Sequence, residues 1–340
     1  MKIILDAMGG DYAPEAPVLG AIDAAKEYGA EIILVGRGEE ILGVLKKNNI
    51  ENLPDHIEIA HADDMVDMHD DPGKVIHKRK NSSMVIGLRM LAEGKGDAFV
   101  SAGSTGALLS GATLIVKRVK GIRRAAMAPS MPTKAGGKVI ICDCGANAEC
   151  TPEFLLQFGL VGSAYAKNVL GVAKPRIGLL NIGTEDSKGT QLQKDAYALL
   201  TDAAEQGLIN FVGNVEARAV PLGEVDVVVC DGFSGNVLIK SIEGTAIFMG
   251  SLLKRMFKKN LGSKIGYLLC KSGVSDMMKL MDSREIGGTQ FLGIKKPVIK
   301  CHGNSDRLAF RNGINQAMVA VKSDFTEQLE KDLAAMKERV

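Results

Sequence analysis

Val227 to Gly235 reads Val-Val-Val-Cys-Asp-Gly-Phe-Ser-Gly, and this stretch indicates the type of fold. An apolar, β-branched run ends in a polar, glycine-rich turn, and a second apolar run with helical spacing begins at Val237. This order predicts a buried strand, a tight turn and a helix capped by Ser234. The free N–H groups in the first turn of such a helix attract anions.

The same pattern recurs five times along the chain. In each case an apolar run leads into a short polar turn that contains glycine. Strands of a parallel sheet end at one edge, where ligands bind, so we expect the turns to gather there around a phosphate-bearing substrate. The five turns are 6–11, 101–106, 143–147, 181–185 and 302–306.

The length and pattern predict one α/β domain over residues 1–340. Hydrophobic residues make up 46% of the 340 residues, which is enough for a large core. Two apolar runs, 125–131 and 138–142, flank Thr133–Gly137 as in a hairpin, so the sheet should be mostly parallel with an antiparallel annex. The chain should end in an exposed, charged helix at about 323–340.

The composition argues against several classes of protein. Aromatic residues make up 4%, Trp is absent and the net charge is +2, so nucleic-acid binding is not expected. The N-terminus has no apolar segment typical of a signal peptide, which predicts a cytoplasmic location. No run of about 18 apolar residues is present, so we expect no membrane span.

Metal and thiol chemistry are not expected either. The acidic loop 61–71 contains two histidines, but its spacing fits a solvated loop better than a metal site. Cys142 and Cys144 are two positions apart, which is not a redox or zinc motif. The sequence therefore implies no metal and no cofactor.

The segment 252–281 differs from the rest of the chain. It combines apolar residues at helical spacing with seven basic residues and one acidic residue. It could be a dimer interface with solvated lysines, or a surface for an anionic membrane or an acidic protein, and both roles are compatible with one amphipathic element. The residues expected on this surface, within an inserted helical segment at about 252–290, are Lys254, Arg255, Lys258, Lys259, Leu261, Ile265, Leu268 and Leu269.

Taken in order, the six turns resemble the bacterial acyl-[acyl-carrier-protein]:phosphate acyltransferase family of phospholipid synthesis. The resemblance runs from Asp6-Ala-Met-Gly-Gly-Asp11 to His302-Gly-Asn-Ser-Asp306 and covers nearly the whole chain. Two positions depart from the family: Ser104 stands where relatives often have Asn, and Cys144 stands where Val is common. Neither change removes a backbone donor.

The resemblance implies a fold, a reaction and partners. The fold would be Rossmann-like, with three α/β/α layers, and similar to phosphate acetyltransferases and isocitrate dehydrogenase-like proteins. The reaction would move a fatty acyl group from acyl carrier protein to inorganic phosphate, without a cofactor or a covalent enzyme intermediate. The enzyme would be a homodimer at the inner face of the cell membrane, and a glycerol-3-phosphate acyltransferase would use its product.

The turns provide candidates for phosphate binding through backbone N–H groups and hydroxyls. One helix terminus stabilises an anion by only about 0.3–1 kcal/mol, so a cation should help. Aspartates that end the strands are expected to brace the turns instead of binding metal. The predicted phosphate-binding residues are Ser104, Thr105, Gly106, Asn147, Thr184, Ser234 and Gly235.

Three residues are candidates for catalysis. Lys188 lies in a turn at the expected edge and could bind phosphate or the carbonyl oxygen, although it could also be a solvated loop lysine. Asn236 is the candidate oxyanion donor, with helix capping as its alternative role. His302 could donate a proton to the thiolate or only cap its turn. The sequence offers no convincing Ser-His-Asp or Cys-His set.

Other functions remain as alternatives. A phosphate acetyltransferase that uses acetyl-coenzyme A would share the fold and the chemistry. A nicotinamide-dependent decarboxylating dehydrogenase would need metal-binding aspartates and an arginine cluster, which the sequence does not provide. A non-catalytic membrane scaffold would rest on 252–281 and would leave the six polar turns unexplained.

Overall fold

The computed structural model describes residues 1–280 and 282–337, and in these the chain forms twelve strands and twelve α-helices. The strands are β1 (Lys2–Asp6), β2 (Glu31–Gly36), β3 (Ile57–His61), β4 (Ala98–Ser101), β5 (Ala126–Met127), β6 (Ser130–Pro132), β7 (Lys138–Cys142), β8 (Arg176–Asn181), β9 (Asn210–Glu216), β10 (Val227–Val229), β11 (Thr289–Leu292) and β12 (Val298–Lys300). The helices are α1 (Glu15–Tyr28), α2 (Gly38–Lys47), α3 (Val75–Lys78), α4 (Ser83–Ala92), α5 (Thr105–Gly111), α6 (Pro152–Asn168), α7 (Gln191–Glu205), α8 (Gly232–Phe257), α9 (Leu261–Leu280), α10 (Ser283–Ile286), α11 (Arg307–Lys322) and α12 (Phe325–Lys337).

The strands form two sheets, not one. The first has the order β3-β2-β1-β4-β12-β11-β5, and the second has the order β6-β7-β10-β8-β9. Most neighbours are parallel, while β11, β5 and β6 pair in antiparallel fashion. The predicted α/β class and the antiparallel annex are confirmed. The prediction of a single edge is wrong. Three of the six turns follow strands of the first sheet, and the other three follow strands of the second sheet.

Each sheet is covered on both faces, as the alternation of its side chains requires. In β1, Ile3 and Leu5 pack with α1 and α11, whereas Ile4 packs on the opposite face with α4. In β10, Val227 and Val229 pack with α6 and α7, and Val228 packs on the other face. Two three-layer units therefore share one chain.

The two sheets are joined directly through β5 and β6. Met127 ends β5 in the first sheet, and Ser130 begins β6 in the second. Ser130 pairs with Ile140 and Pro132 pairs with Lys138, which confirms the predicted hairpin. The tip of this hairpin therefore lies away from the carboxyl end of β7, where Asp143 follows.

The C-terminal helix α12 is not exposed all round. Phe325, Leu329 and Leu333 are buried in the core beside α6, and Phe325 meets the ring of Tyr165 edge-on at 5.5 Å. The prediction of an exposed helix is therefore wrong for one face, because a stripe of apolar residues three to four positions apart packs inward. Residues 338–340 of the predicted helix lie outside the described part of the chain.

The helices α8 and α9 form a hairpin that projects from the sheets. Only the start of α8 is buried, and α9 has no buried residue in its described span. The predicted basic segment begins inside α8 and continues through α9. The helix α8 is long and apolar enough to cross a membrane. Core helices of soluble proteins also meet this criterion of length and composition. The predicted surface leucines Leu261, Leu268 and Leu269 are 74%, 69% and 81% exposed.

Candidate active site

Asp6 organises the turns at the edge of the first sheet. Its buried carboxylate accepts hydrogen bonds from Ser83 Oγ at 2.6 Å, Ser101 Oγ at 2.7 Å and the Met8 amide at 3.1 Å. Burial raises the pKa of Asp6, and these hydrogen bonds oppose the rise. The Asp11 amide also donates to the Gly303 carbonyl at 2.7 Å, so turns 6–11, 101–106 and 302–306 lie together.

Asp143 has the same role in the second sheet. It accepts hydrogen bonds from the backbone amides of Met127, Cys144 and Asn147 at 2.8, 2.7 and 2.6 Å. The side-chain amide of Asn147 donates to Asp143 at 3.0 Å and to the Ala125 carbonyl at 2.8 Å. The predicted bracing by aspartates is confirmed at Asp6 and Asp143, and the amide of Asn147 is used to hold its turn.

The helix α8 starts three residues earlier than expected and has a different cap. Asp231 is the N-cap, and its carboxylate accepts from both the amide and the hydroxyl of Ser234 at 2.8 Å. The prediction that Ser234 caps the helix is wrong, because β10 ends at Val229 and places Asp231 at the boundary. A Cβ atom on Gly235 would overlap the carbonyl oxygen of Asp143, so glycine permits this close approach.

Thr184 and Lys188 lie in the exposed loop after β8, the strand beside β10. Lys188 Nζ is 3.8 Å from Glu185 Oε1, and the Lys188 carbonyl accepts from Asn181 Nδ2 at 3.1 Å. Within residues 1–280 and 282–337, no hydrogen bond or ion pair connects Lys188 to the other two predicted catalytic residues. The loop is therefore next to the start of α8 without being bonded to it.

One face of α8 connects the two sheets. Asn236, Lys240 and Glu243 follow one another at helical spacing, so they share a face about 10 Å long. Asn236 lies over Gly145 of the second sheet, where a Cβ atom would be 3.8 Å from Asn236 Oδ1. Lys240 Nζ contacts Glu243 at 2.7 Å, and Glu243 Oε1 lies 3.9 Å from His302 Nε2.

Lys300, the last residue of β12, is a cation that the sequence pattern did not single out. It is 9% exposed, and its Nζ donates to the carbonyl oxygens of Cys301 and, at 3.4 Å, Ala102. Burial lowers the pKa of Lys300, and nearby negative charge on Asp11 and Asp6 opposes this effect. Its only signal in the sequence is a lysine that directly ends an apolar strand.

Positive charge converges at the edge of the first sheet. The pKa of His302 is lowered by desolvation first, then by the positive charge of Lys240 and of Lys300, while Glu243 opposes the shift. The positive charge of the two lysines disfavours the cationic form of His302, and an anion that enters beside them is attracted to both. The arrangement is therefore suited to bind phosphate.

The start of α5 adds backbone donors on the same sheet. Ser104 is its buried N-cap residue, and its side chain makes no capping hydrogen bond in the structure. Thr105 and Gly106 form the first turn and are partly exposed. A Cβ atom on Gly106 would lie 2.8 Å from Pro72, so the loop before α3 covers this end.

Two cavities meet at His302 and Glu243. The first, which we name the apolar groove, has a volume of about 290 Å³; its walls are residues 129–134, Pro221, Ile239, Ile242, Ala246, Leu280, Asp282 and 286–289. The second, which we name the cationic cleft, has a volume of about 580 Å³; its charged residues are Lys240, Lys279, Arg284, Glu243 and Asp282. A substrate with an apolar part and an anionic part fits this pair of cavities.

The cysteines near these turns are unsuited to act as nucleophiles. Burial, followed by the negative charge of Asp143, raises the pKa of Cys144 to about 12. The same causes raise the pKa of Cys150 to about 12. A thiol with such a pKa is protonated near neutral pH, and the thiolate is the reactive form.

Comparison with solved structures defines the class of fold. A phosphotransacetylase from Streptococcus pyogenes gives a TM-score of 0.62 at 18% identity, covering 96% of this chain and 94% of that one. The EutD phosphotransacetylase from Staphylococcus aureus gives 0.59 at 19% identity, covering 95% and 94%. The chain therefore has a phosphotransacetylase-like α/β fold, as predicted.

Sequence comparison identifies the family. Residues 1–328 match the model of the family described as fatty acid synthesis protein. The chain is 45% identical to a phosphate acyltransferase of Alkaliphilus oremlandii, over 99% of this chain and 98% of the relative. It is 44% identical to one of Clostridium botulinum, over 98% of each. The chain belongs to the fatty acid synthesis protein family, and it is a transferase that moves an acyl group to phosphate.

Proposed function

We propose that the acyl donor is a long-chain thioester of acyl carrier protein and that the acyl phosphate formed serves phospholipid synthesis. The observation that supports this is the junction of the apolar groove and the cationic cleft at His302. An acetyl group would leave the groove unfilled, which disfavours the alternative donor, acetyl-coenzyme A. The expected next enzyme is a glycerol-3-phosphate acyltransferase.

In the proposed reaction, phosphate binds between Lys240, Lys300 and His302. One phosphate oxygen attacks the thioester carbonyl carbon, a C–O bond forms, and the C–S bond breaks with its electron pair on sulfur. The lowered pKa favours the neutral form of His302, whose imidazole can accept the phosphate hydroxyl proton and pass it to the leaving thiolate. The products are acyl phosphate and the carrier thiol.

Asn236 remains the predicted oxyanion donor, and Lys188 remains the predicted ligand of phosphate or of the carbonyl oxygen. Asn236 shares the α8 face with Lys240, and Lys188 lies at the neighbouring strand end. Both are solvent-exposed, so each should contribute less than a buried donor. We expect Asn236→Ala and Lys188→Ala each to lower turnover at least about tenfold, which corresponds to about 1.4 kcal/mol.

The assay measures acyl phosphate formed from palmitoyl-acyl carrier protein and phosphate, with acetyl-coenzyme A as the competing donor. Lys194→Ala, which removes another exposed lysine from the nearby helix α7, is the matched control. Near-normal turnover in both folded variants would exclude this site assignment. A preference for acetyl-coenzyme A would exclude the long-chain donor.

The exposed α8–α9 hairpin is proposed to mediate dimer formation and contact with an anionic membrane. Ile247 and Phe248 are 75% and 59% exposed on α8, and such clusters on a protein surface mark interaction sites. Beyond them lie Leu261, Ile265 and the basic residues of the predicted surface, a combination typical of helices that lie on anionic lipid.

We expect Leu268→Glu to abolish sedimentation with anionic vesicles, because it places a charge on the apolar face of α9. Leu42→Glu, at a 52% exposed leucine of α2, is the matched control and should sediment as the unaltered protein does. Molecular mass in solution is measured for each variant. Unchanged sedimentation of a Leu268→Glu dimer would count against a membrane role for this surface.

A further inference from the structure

The helix α8 presents two neighbouring faces to two different cavities. Asn236, Lys240 and Glu243 lie along the polar face described above. Ile239, Ile242 and Ala246 also follow one another at helical spacing and line the apolar groove. One helix thus forms a wall shared by an apolar and a charged compartment.

The two ends of the apolar groove differ. Ala246 lines both cavities and lies near the junction with the cationic cleft, whereas Ile239 lines the groove alone. The far wall is the β6–β7 hairpin, whose tip is held where the Lys134 amide donates to the Pro221 carbonyl at 2.9 Å. The groove therefore runs from His302 toward a fixed tip.

The volume of the groove suits a chain of limited length. A volume of about 290 Å³ has room for several methylene groups of an extended chain. Ile239 and Ile242 are half-buried, so each has apolar surface left to cover. Each methylene buried there strengthens binding about fourfold.

We infer that the apolar groove holds the fatty acyl chain and that Ile239 and Ile242 of α8 determine which chain lengths are transferred. This inference rests on the proposed function and adds the residues that select the substrate. The thioester carbonyl lies at the His302 end, and the methyl end of the chain points toward the hairpin tip. We assign the acyl chain to the groove because the groove is continuous with the cationic cleft, where phosphate would react.

The test compares octanoyl and hexadecanoyl thioesters of acyl carrier protein. Ile239→Phe fills the groove and is expected to lower the hexadecanoyl-to-octanoyl ratio of kcat/KM at least about tenfold, the effect of about two displaced methylenes. Ile239→Ala enlarges the groove and should raise this ratio. Val237→Phe adds the same ring at an exposed position of α8 outside the groove and should leave the ratio unchanged.

The outcomes separate this inference from the function on which it rests. Opposite shifts in the two Ile239 variants support it, and the Ala variant keeps the test valid if the Phe variant does not fold. An unchanged ratio in Ile239→Ala, with acyl phosphate still formed, would overturn the chain-length assignment and leave the proposed function intact. Failure of the unaltered protein to use either thioester would overturn both.

Discussion

Lys300→Met is expected to lower turnover about 100- to 1000-fold while the protein still folds. A loss of this size is typical when a donor that is held in place where negative charge develops is removed. Stability should fall by about 1–3 kcal/mol, because Met has a similar length but cannot donate to the backbone carbonyl oxygens that Lys300 Nζ contacts. The measurements are acyl phosphate formation as a function of phosphate concentration and unfolding by urea.

The control is Lys296→Met. Lys296 also donates to a backbone carbonyl, that of Leu91 at 2.9 Å, but it precedes β12 and lies away from the His302 turn. It should retain normal turnover. If Lys300→Met remained as active as Lys296→Met, the phosphate would have to bind elsewhere. If it lost activity only by unfolding, Lys300 would be a structural residue.

The local elements of this fold could be predicted because their signals are local. The run Val227–Val229, the glycine turn and the start of α8 lie within a dozen residues and determine one another. The hairpin at Thr133–Gly137 was predictable for the same reason. The prediction placed the N-cap of α8 at Ser234 because Asp and Ser are both favoured at N-cap positions. The end of β10 decides between them and makes Asp231 the N-cap.

The division into two sheets could not be predicted from such signals. It depends on pairings between distant segments, such as β12 with β4, where Lys300 lies opposite Ser101. The same long-range pairing buries Lys300, although a lysine at a strand end ordinarily points to solvent. Of the candidate site, His302 and Asn236 could be named from their turns, and their roles stay predictions. Lys240 and Glu243 emerged as candidates only when α8 was placed between the sheets.

Gly235→Ala is expected to destabilise the protein by at least about 1–3 kcal/mol, the usual cost of forcing atoms into a well-packed interior. The added methyl group would overlap the carbonyl oxygen of Asp143 and lie 2.9 Å from Cys230 Sγ. Because backbone and buried side chain both block it, the start of α8 must move away from turn 143–147. Urea unfolding measures the change in the free energy of unfolding.

Gly244→Ala is the matched control on the same helix, because a Cβ atom there meets nothing within 4 Å. It should stabilise the protein by about 0.5–1 kcal/mol, since alanine loses less backbone freedom than glycine in a helix. Equal stability of the two variants would contradict the close contact at Gly235. In the folded fraction of Gly235→Ala, turnover should also fall about 100-fold, because the shift of α8 moves Asn236, Lys240 and Glu243 together relative to His302.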